Sequence, residues 1–182
     1  MADKAKERPA HGGIPEAIFV EDVEKYMKDP AHTTAETVLQ SLDEQHQKYK
    51  FMELNLLQKK KRLMAQIPDI RSTLDIVKHL QGKKTSPNII DTHFLLAESV
   101  YAKSSVEPTD KVCLWLGANV MLEYEIDDAQ LLLEKNLTAA NNTLYQVDDD
   151  LDFLRDQYTT TEVNMARVYN WDVKRRQAAG LK

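Results

Sequence analysis

Four carboxylates crowd five positions at Asp148-Asp149-Asp150 and Asp152, a density that in a loop could hold a divalent cation. The surrounding heptad pattern puts them on a helix, where successive side chains fan around the axis. The glycine and closing glutamate of a calcium loop are also missing. They read as a solvated helix face. The five histidines, His11, His32, His46, His79 and His93, show no HExxH or other ligand spacing, so no metal is expected. Cys113 is the only cysteine, which excludes a disulfide framework and a thiol pair for zinc. A nucleophile there needs a base, and none is indicated. Its alternation with Val112 and Leu114 makes it a small buried strand residue. Lys59-Lys60-Lys61-Arg62 has the density of a nuclear signal or a phosphate contact, and reads as an exposed helix face. No catalytic residue, cofactor or metal site emerges, and the chain is not expected to be an enzyme.

Two long stretches with apolar residues at heptad spacing, Thr34–Gln81 and Asp128–Arg176, must position the aspartates, the lysine run, His46 and His79. At about 1.5 Å of rise per residue each helix is on the order of 70 Å long. Helices of matched length, joined by a compact segment, fold back into a long antiparallel coiled-coil hairpin. Such a shape leaves little room for an enzyme pocket and suits a lever, a tether or a tentacle. The 182 residues fit one domain or at most two small ones. A formal net charge of −5 argues against a general nucleic-acid binder. The N-terminus lacks the apolar core of a signal peptide, and no stretch approaches the roughly 18 apolar residues of a membrane span. No membrane partner is expected, and the compartment is cytoplasmic or nuclear.

In chain order, residues 1–13 form a disordered tail and 14–32 an apolar segment carrying Ile14, Ile18, Phe19, Val20, Val23, Tyr26 and Met27, which lies against something else. The first helix spans 33–82. Thr33 and Glu36 make a capping box at its start. Ala35, Leu42, Tyr49, Leu56, Leu63, Ile70 and Val77 recur every seven residues, with Val38, Met52, Ile67 and Leu74 as companions. Pro68 should bend this helix, and Gly82 suits the left-handed position that ends it. Residues 92–125 change period to short alternating runs. His93–Ala97 with Val100–Val106, and Lys111–Leu116 with Val120–Glu125, form two consecutive β-hairpins, the second closed by Gly117-Ala118-Asn119. Four strands this short have exposed edges and too little core, so they should pair with strands of other chains. The second helix spans 127–176, with Asp127 and Gln130 in capping-box spacing. Its seam runs through Leu133, Leu137, Ala140, Leu144, Val147, Leu151, Leu154, Tyr158, Thr161, Met165 and Val168, and fails at Asp172. A basic run, Lys174-Arg175-Arg176, leads into the tail 177–182.

Apolar residues that miss the seam mark interaction surface. Late in the second helix these are Val163, Tyr169, Trp171 and Val173; early in the first they are Leu39, Phe51, Leu54 and Leu57. Antiparallel helices bring both groups towards the end remote from the strands. The alternative is that Ile14–Met27, or a neighbouring subunit, covers this patch.

Several strings carry a family resemblance: Lys48–Leu56 (KYKFMELNL), Asp110–Tyr124 (DKVCLWLGANVMLEY), Asp150–Gln157 (DLDFLRDQ), Thr159–Arg176 (TTTEVNMARVYNWDVKRR) and Gly13–Ala17. In these the chain resembles the α-class subunits of prefoldin, over about Gly13 to Arg176. The resemblance implies a hexamer of two α-class and four β-class subunits whose hairpins join an oligomeric β-barrel base. Val112, Leu114, Leu116, Val120, Leu122 and Tyr124 then belong to that base. It also implies coiled-coil tips that hold unfolded actin and tubulin and pass them, without ATP hydrolysis, to the cytosolic group II chaperonin. Tip residues follow no fixed motif in the family. Position alone assigns Leu39, Leu42, Tyr158, Met165, Val168, Tyr169 and Trp171 to client or chaperonin contact.

Two other functions compete with a chaperone: a coiled-coil scaffold or tether binding one folded partner, and a nucleic-acid-binding arm using Lys59–Arg62 and Lys174–Arg176. Graded binding of many unfolded chains marks the first, one saturable folded ligand the second. Steeply salt-dependent RNA or DNA binding marks the third.

Overall fold

The computed structural model describes residues 10–30, 32, 34–85 and 89–180. The elements in order are α1 (Val23–Tyr26), α2 (Ala35–Lys83), β1 (Ile90–Ala97), β2 (Val100–Val106), β3 (Lys111–Gly117), β4 (Val120–Glu125) and α3 (Ile126–Ala178). The first nine residues of the expected tail lie outside the described residues, whereas Ala10–Gly13 form a tight turn with His11 and Gly12 in the left-handed region (φ 49° and 61°).

Both long helices differ from expectation at their ends. Thr33 of the expected capping box lies outside the described residues. The cap observed is reciprocal between Thr34 and Thr37: the Thr37 N–H donates to Thr34 Oγ1 (3.1 Å) and the Thr34 N–H to Thr37 Oγ1 (3.3 Å). α2 is unbroken through Pro68 and continues to Lys83. Gly82 is therefore helical rather than the left-handed terminator expected; a tightened last turn, Lys84 N–H to the Gln81 carbonyl at 3.2 Å, closes the helix instead. Pro87 lies outside the described residues. At the start of α3 the Asp127–Gln130 box does not form, because β4 passes into the helix without a loop and Asp127 is already helical. Its carboxylate accepts from Gln81 Nε2 at 2.6 Å, while Gln130 donates to Glu134. At the other end α3 runs past Asp172, which is buried and bound by Arg175 (2.8 Å) and Arg176 (2.7 Å) of the next turn. The basic run Lys174-Arg175-Arg176 lies within α3, which ends at Ala178.

Two compact units divide the chain: Leu63–Thr143 forms one, and the residues up to Arg62 join those from Leu144 onward in the other. In the Leu63–Thr143 unit, α2 and α3 pack antiparallel, with Lys78 pairing with Glu134 (3.0 Å) and Gln81 with Asp127. Their seam buries Leu74, Val77, Ile126, Ala129 and Leu133, and Leu114 of β3 completes this core. Val112 and Tyr124 pack at its margin.

The four strands make two separate two-stranded antiparallel sheets, and no barrel closes among the described residues. Cross-strand ion pairs, Lys103 with Asp91 (3.1 Å) and Lys111 with Glu123 (2.9 Å), fit the register. The β3–β4 turn has Ala118 and Asn119 at φ 48° and 62°, the positive pair that a two-residue hairpin loop of matching twist demands. A register shift between Trp115 and Gly117 leaves Leu116 without a cross-strand partner. Cys113 is exposed, contrary to expectation: alternation turns it away from the face of Val112 and Leu114, opposite Glu123.

Ile126 is fully buried at the strand–helix junction, whereas Ile76 of α2 is largely exposed. Ile126→Ala should lower unfolding free energy by about 2–5 kcal/mol, and Ile76→Ala by no more than about 0.5 kcal/mol. Urea unfolding followed by helical circular dichroism reads both; equal effects would contradict this core assignment.

Candidate functional site

In the other unit the two helices again run antiparallel, with Lys60 on Asp148 (2.8 Å) and His46 on Glu162 (3.3 Å). The seam buries Ala35, Val38, Leu42 and Tyr49 of α2 against Leu154, Thr161 and Val168 of α3. His46 fills a seam position between Leu42 and Tyr49, its ring stacked on Tyr158 at 4.4 Å. Beside the α3 seam a second line repeats every seven residues, and it is polar: Asp150, Gln157 and Asn164, all buried. Buried amides need partners, since an unpaired one costs about 1–3 kcal/mol.

The partners come from the N-terminal segment. Burial there recurs every third residue, at His11, Ile14, Ala17, Val20 and Val23, with the residues between them exposed. Three residues of extended chain advance about 10 Å. Seven residues of helix advance about 10.5 Å. The two repeats therefore keep step. The Ala17 N–H donates to Gln157 Oε1 at 2.8 Å. Asn164 holds the chain with both ends of its amide: Oδ1 accepts from the Val20 N–H (2.9 Å) and Nδ2 donates to the Ile18 carbonyl (2.8 Å). One turn on, Arg167 donates to the Glu21 carbonyl at 2.7 Å, its guanidinium 5.3 Å from the centre of the Phe19 ring. From α2, Tyr49 donates to the Pro15 carbonyl (2.8 Å) and accepts from Gln45. Burial pushes the Tyr49 phenol up and the Gln45 hydrogen bond works against this, so it remains a donor at neutral pH.

Apolar contacts complete the attachment. Val20 and Val23 join Ala35, Val38, Leu42 and Val168 in one core, with Tyr26, Met27, Leu39, Met165 and Trp171 packed against it. Asp22 caps α1 through the Lys25 N–H, and His32 Nδ1 lies 2.7 Å from the Tyr26 carbonyl. At the start of the segment His11 stacks on Phe153 with ring centres 3.9 Å apart.

Of the seven residues assigned to the tip by position, Leu42 and Val168 are core, and Leu39, Met165 and Trp171 are partly covered by the segment. Tyr158 lies on His46, and Tyr169 is 60% exposed. Phe51, Leu54, Leu57 and Val163 are exposed. Among the six base residues, Leu114 is buried and Val112 and Tyr124 half-buried in the chain's own core; Leu116, Val120 and Leu122 are exposed. The carboxylates at 148–152 do fan around the helix, but Asp150 is buried rather than solvated. His11, Asp149 and Asp150 bring one ligand-type atom each within 4.8 Å of one another. This is the contact of the N-terminal turn with α3, where His11 Nδ1 lies 3.6 Å from Asp149. Sequence reasoning missed Gln157 and Asn164; their signal was a polar heptad line flanking the apolar one.

A family model described as "Prefoldin subunit" matches residues 49–171. Proteins named "Prefoldin subunit 3" from Mus musculus and Homo sapiens are each 69% identical over 169 residues, covering 93% of this chain and 86% of theirs. One from Drosophila melanogaster is 52% identical over 167 residues, covering 92% of this chain and 84% of its own.

Asn164→Ala removes both bonds to residues 18 and 20 and should weaken attachment of the segment by about 1–3 kcal/mol. Hydrogen exchange of the amides between residues 14 and 21 should accelerate, while those of the Leu63–Thr143 unit stay unchanged. Unaltered exchange at 14–21 would rule out the amide clamp.

Proposed function

Because this chain belongs to the prefoldin family, we propose that it is an α-class subunit of a hexameric, ATP-independent co-chaperone of the cytoplasm. In this reading two α-class and four β-class subunits pool their hairpins in a β-barrel base. The coiled-coil tips hold non-native chains, newly made actin and tubulin among them, and pass them to the group II chaperonin.

The observation that carries the proposal is the state of the hairpins. Phe94, Leu95, Leu96, Val100 and Tyr101 of the first, and Trp115, Leu116, Val120, Met121 and Leu122 of the second, are all more than two-fifths exposed in the single chain. Hairpins with this much apolar surface and unpaired edges are stable only when other strands cover them. Partners of the same construction supply such strands. At the tip, unfolded clients offer apolar side chains without fixed geometry, each buried CH₂ contributing about 0.8 kcal/mol. Weak contacts on separate arms add through effective concentration, yet each releases singly for handover.

Leu122 sits opposite Leu114 but is half exposed, so the chain's own core does not need it. Leu122→Asp should exclude the subunit from the complex in native mass spectrometry; a hexamer holding the variant at wild-type occupancy would refute the base assignment. Tyr169→Ser with Trp171→Ser should leave assembly intact and raise by roughly tenfold the amount of complex needed to suppress aggregation of denatured actin. Undiminished suppression by that assembled variant would sink the tip assignment, and saturable binding of one folded protein instead would favour a tether.

A further inference from the structure

We propose that the groove between α2 and α3 beneath residues 14–21 is a binding site for extended polypeptide. The chain's own N-terminal segment is its resident occupant, displaced when an extended stretch of a non-native protein takes its place. The inference rests on the reading of this end of the molecule as the client-holding tip, and gives that reading a chemical form.

The recognition is of main chain. Tyr49, Gln157, Asn164 and Arg167 bind the Pro15, Ile18 and Glu21 carbonyls and the Ala17 and Val20 N–H groups. Peptide groups are common to every protein, so these contacts place no demand on sequence. Side-chain demand falls only on every third residue, where Ala17, Val20 and Val23 turn inward and are small or β-branched. Between them Glu16, Ile18, Phe19 and Glu21 are exposed, Ile18 to 83%. A ligand therefore needs an extended backbone and an apolar residue of modest size at intervals of three. Unfolded chains meet that requirement often; folded surfaces do not, because their backbone groups are already paired.

The occupant is also built to leave. It pairs with no strand among the described residues, its outer side faces solvent, and its hold is divided among single hydrogen bonds and two buried valines. Each can be lost and regained separately. Withdrawal bares Leu42 and Val168 beside the Gln157 and Asn164 amides, an apolar trough with polar groups converging on it. The segment thus shields the trough from self-association when no client is present and is exchanged for one when it is.

The test uses the assembled complex and a fluorescein-labelled peptide with the sequence of residues 12–25, read by anisotropy. A complex whose subunit lacks residues 1–25 should bind the peptide about tenfold or more tighter than the complete one, and Asn164→Ala in the shortened subunit should reverse that gain by about tenfold. Equal affinity with and without the segment, or a gain that survives Asn164→Ala, overturns the proposal. A second measurement needs no deletion. In the wild-type complex, a reduced and carboxymethylated protein added as client should speed hydrogen exchange at residues 14–21. If that client is held and exchange there does not change, displacement is refuted while client holding stands. If the shortened complex gains peptide affinity but no client is held, the groove stands and the chaperone reading fails.

Discussion

An extended segment laid on a helix pair has no neighbouring strand to satisfy its peptide groups, yet each group it buries must be paired. Here the requirement is met by side chains spaced along α3. The solution works because two turns of helix and three residues of extended chain cover nearly the same distance, about 10 Å. Once Gln157 and Asn164 bind Ala17 and Val20, Val20 and Val23 fall onto Leu42 and Val168, and Arg167 meets the next free carbonyl. The burial of Gln157 and Asn164 beside an apolar seam follows from the same fact. So does the coverage of Leu39, Met165 and Trp171.

The Leu63–Thr143 unit answers a different constraint. Its helix pair closes a core with one strand residue, Leu114, and leaves most of both hairpins outside it. β1 is exposed along nearly its whole length. A sheet of two strands cannot bury two faces, so most of the apolar surface of both hairpins stays outside the core of the single chain.

Heptad patterning made the helices legible, because Ala35 to Val77 and Leu133 to Val168 repeat a spacing that no other secondary structure favours. The hairpins were legible from alternation and from Gly117-Ala118-Asn119. Helix ends were less so. Gly82 carries the composition of a terminator, yet the helix runs through it to Lys83. Asp127 carries that of a cap but follows a strand that enters the helix directly. The covered groove was the hardest part to read. A period of three in Ile14, Ala17, Val20 and Val23 resembles neither helix nor strand, and Gln157 and Asn164 pass for surface residues unless read as a column. Leucines and aromatics drew attention to the same unit, but Tyr49, Gln157, Asn164 and Arg167 bind the segment there.

The passage from β4 into α3 has a mechanical side. Glu125 ends the strand, Ile126 begins the helix, and Ile126 is locked by full burial and by its N–H on the Asp110 carbonyl at 2.9 Å. There is no slack at that joint. Any rotation imposed on the β3–β4 hairpin must turn the first turns of α3 with it, as a key turns a shaft. β1 does not follow α2 in this direct way: α2 ends at Lys83 and β1 begins at Ile90. The β3–β4 hairpin is a rigid handle on its helix.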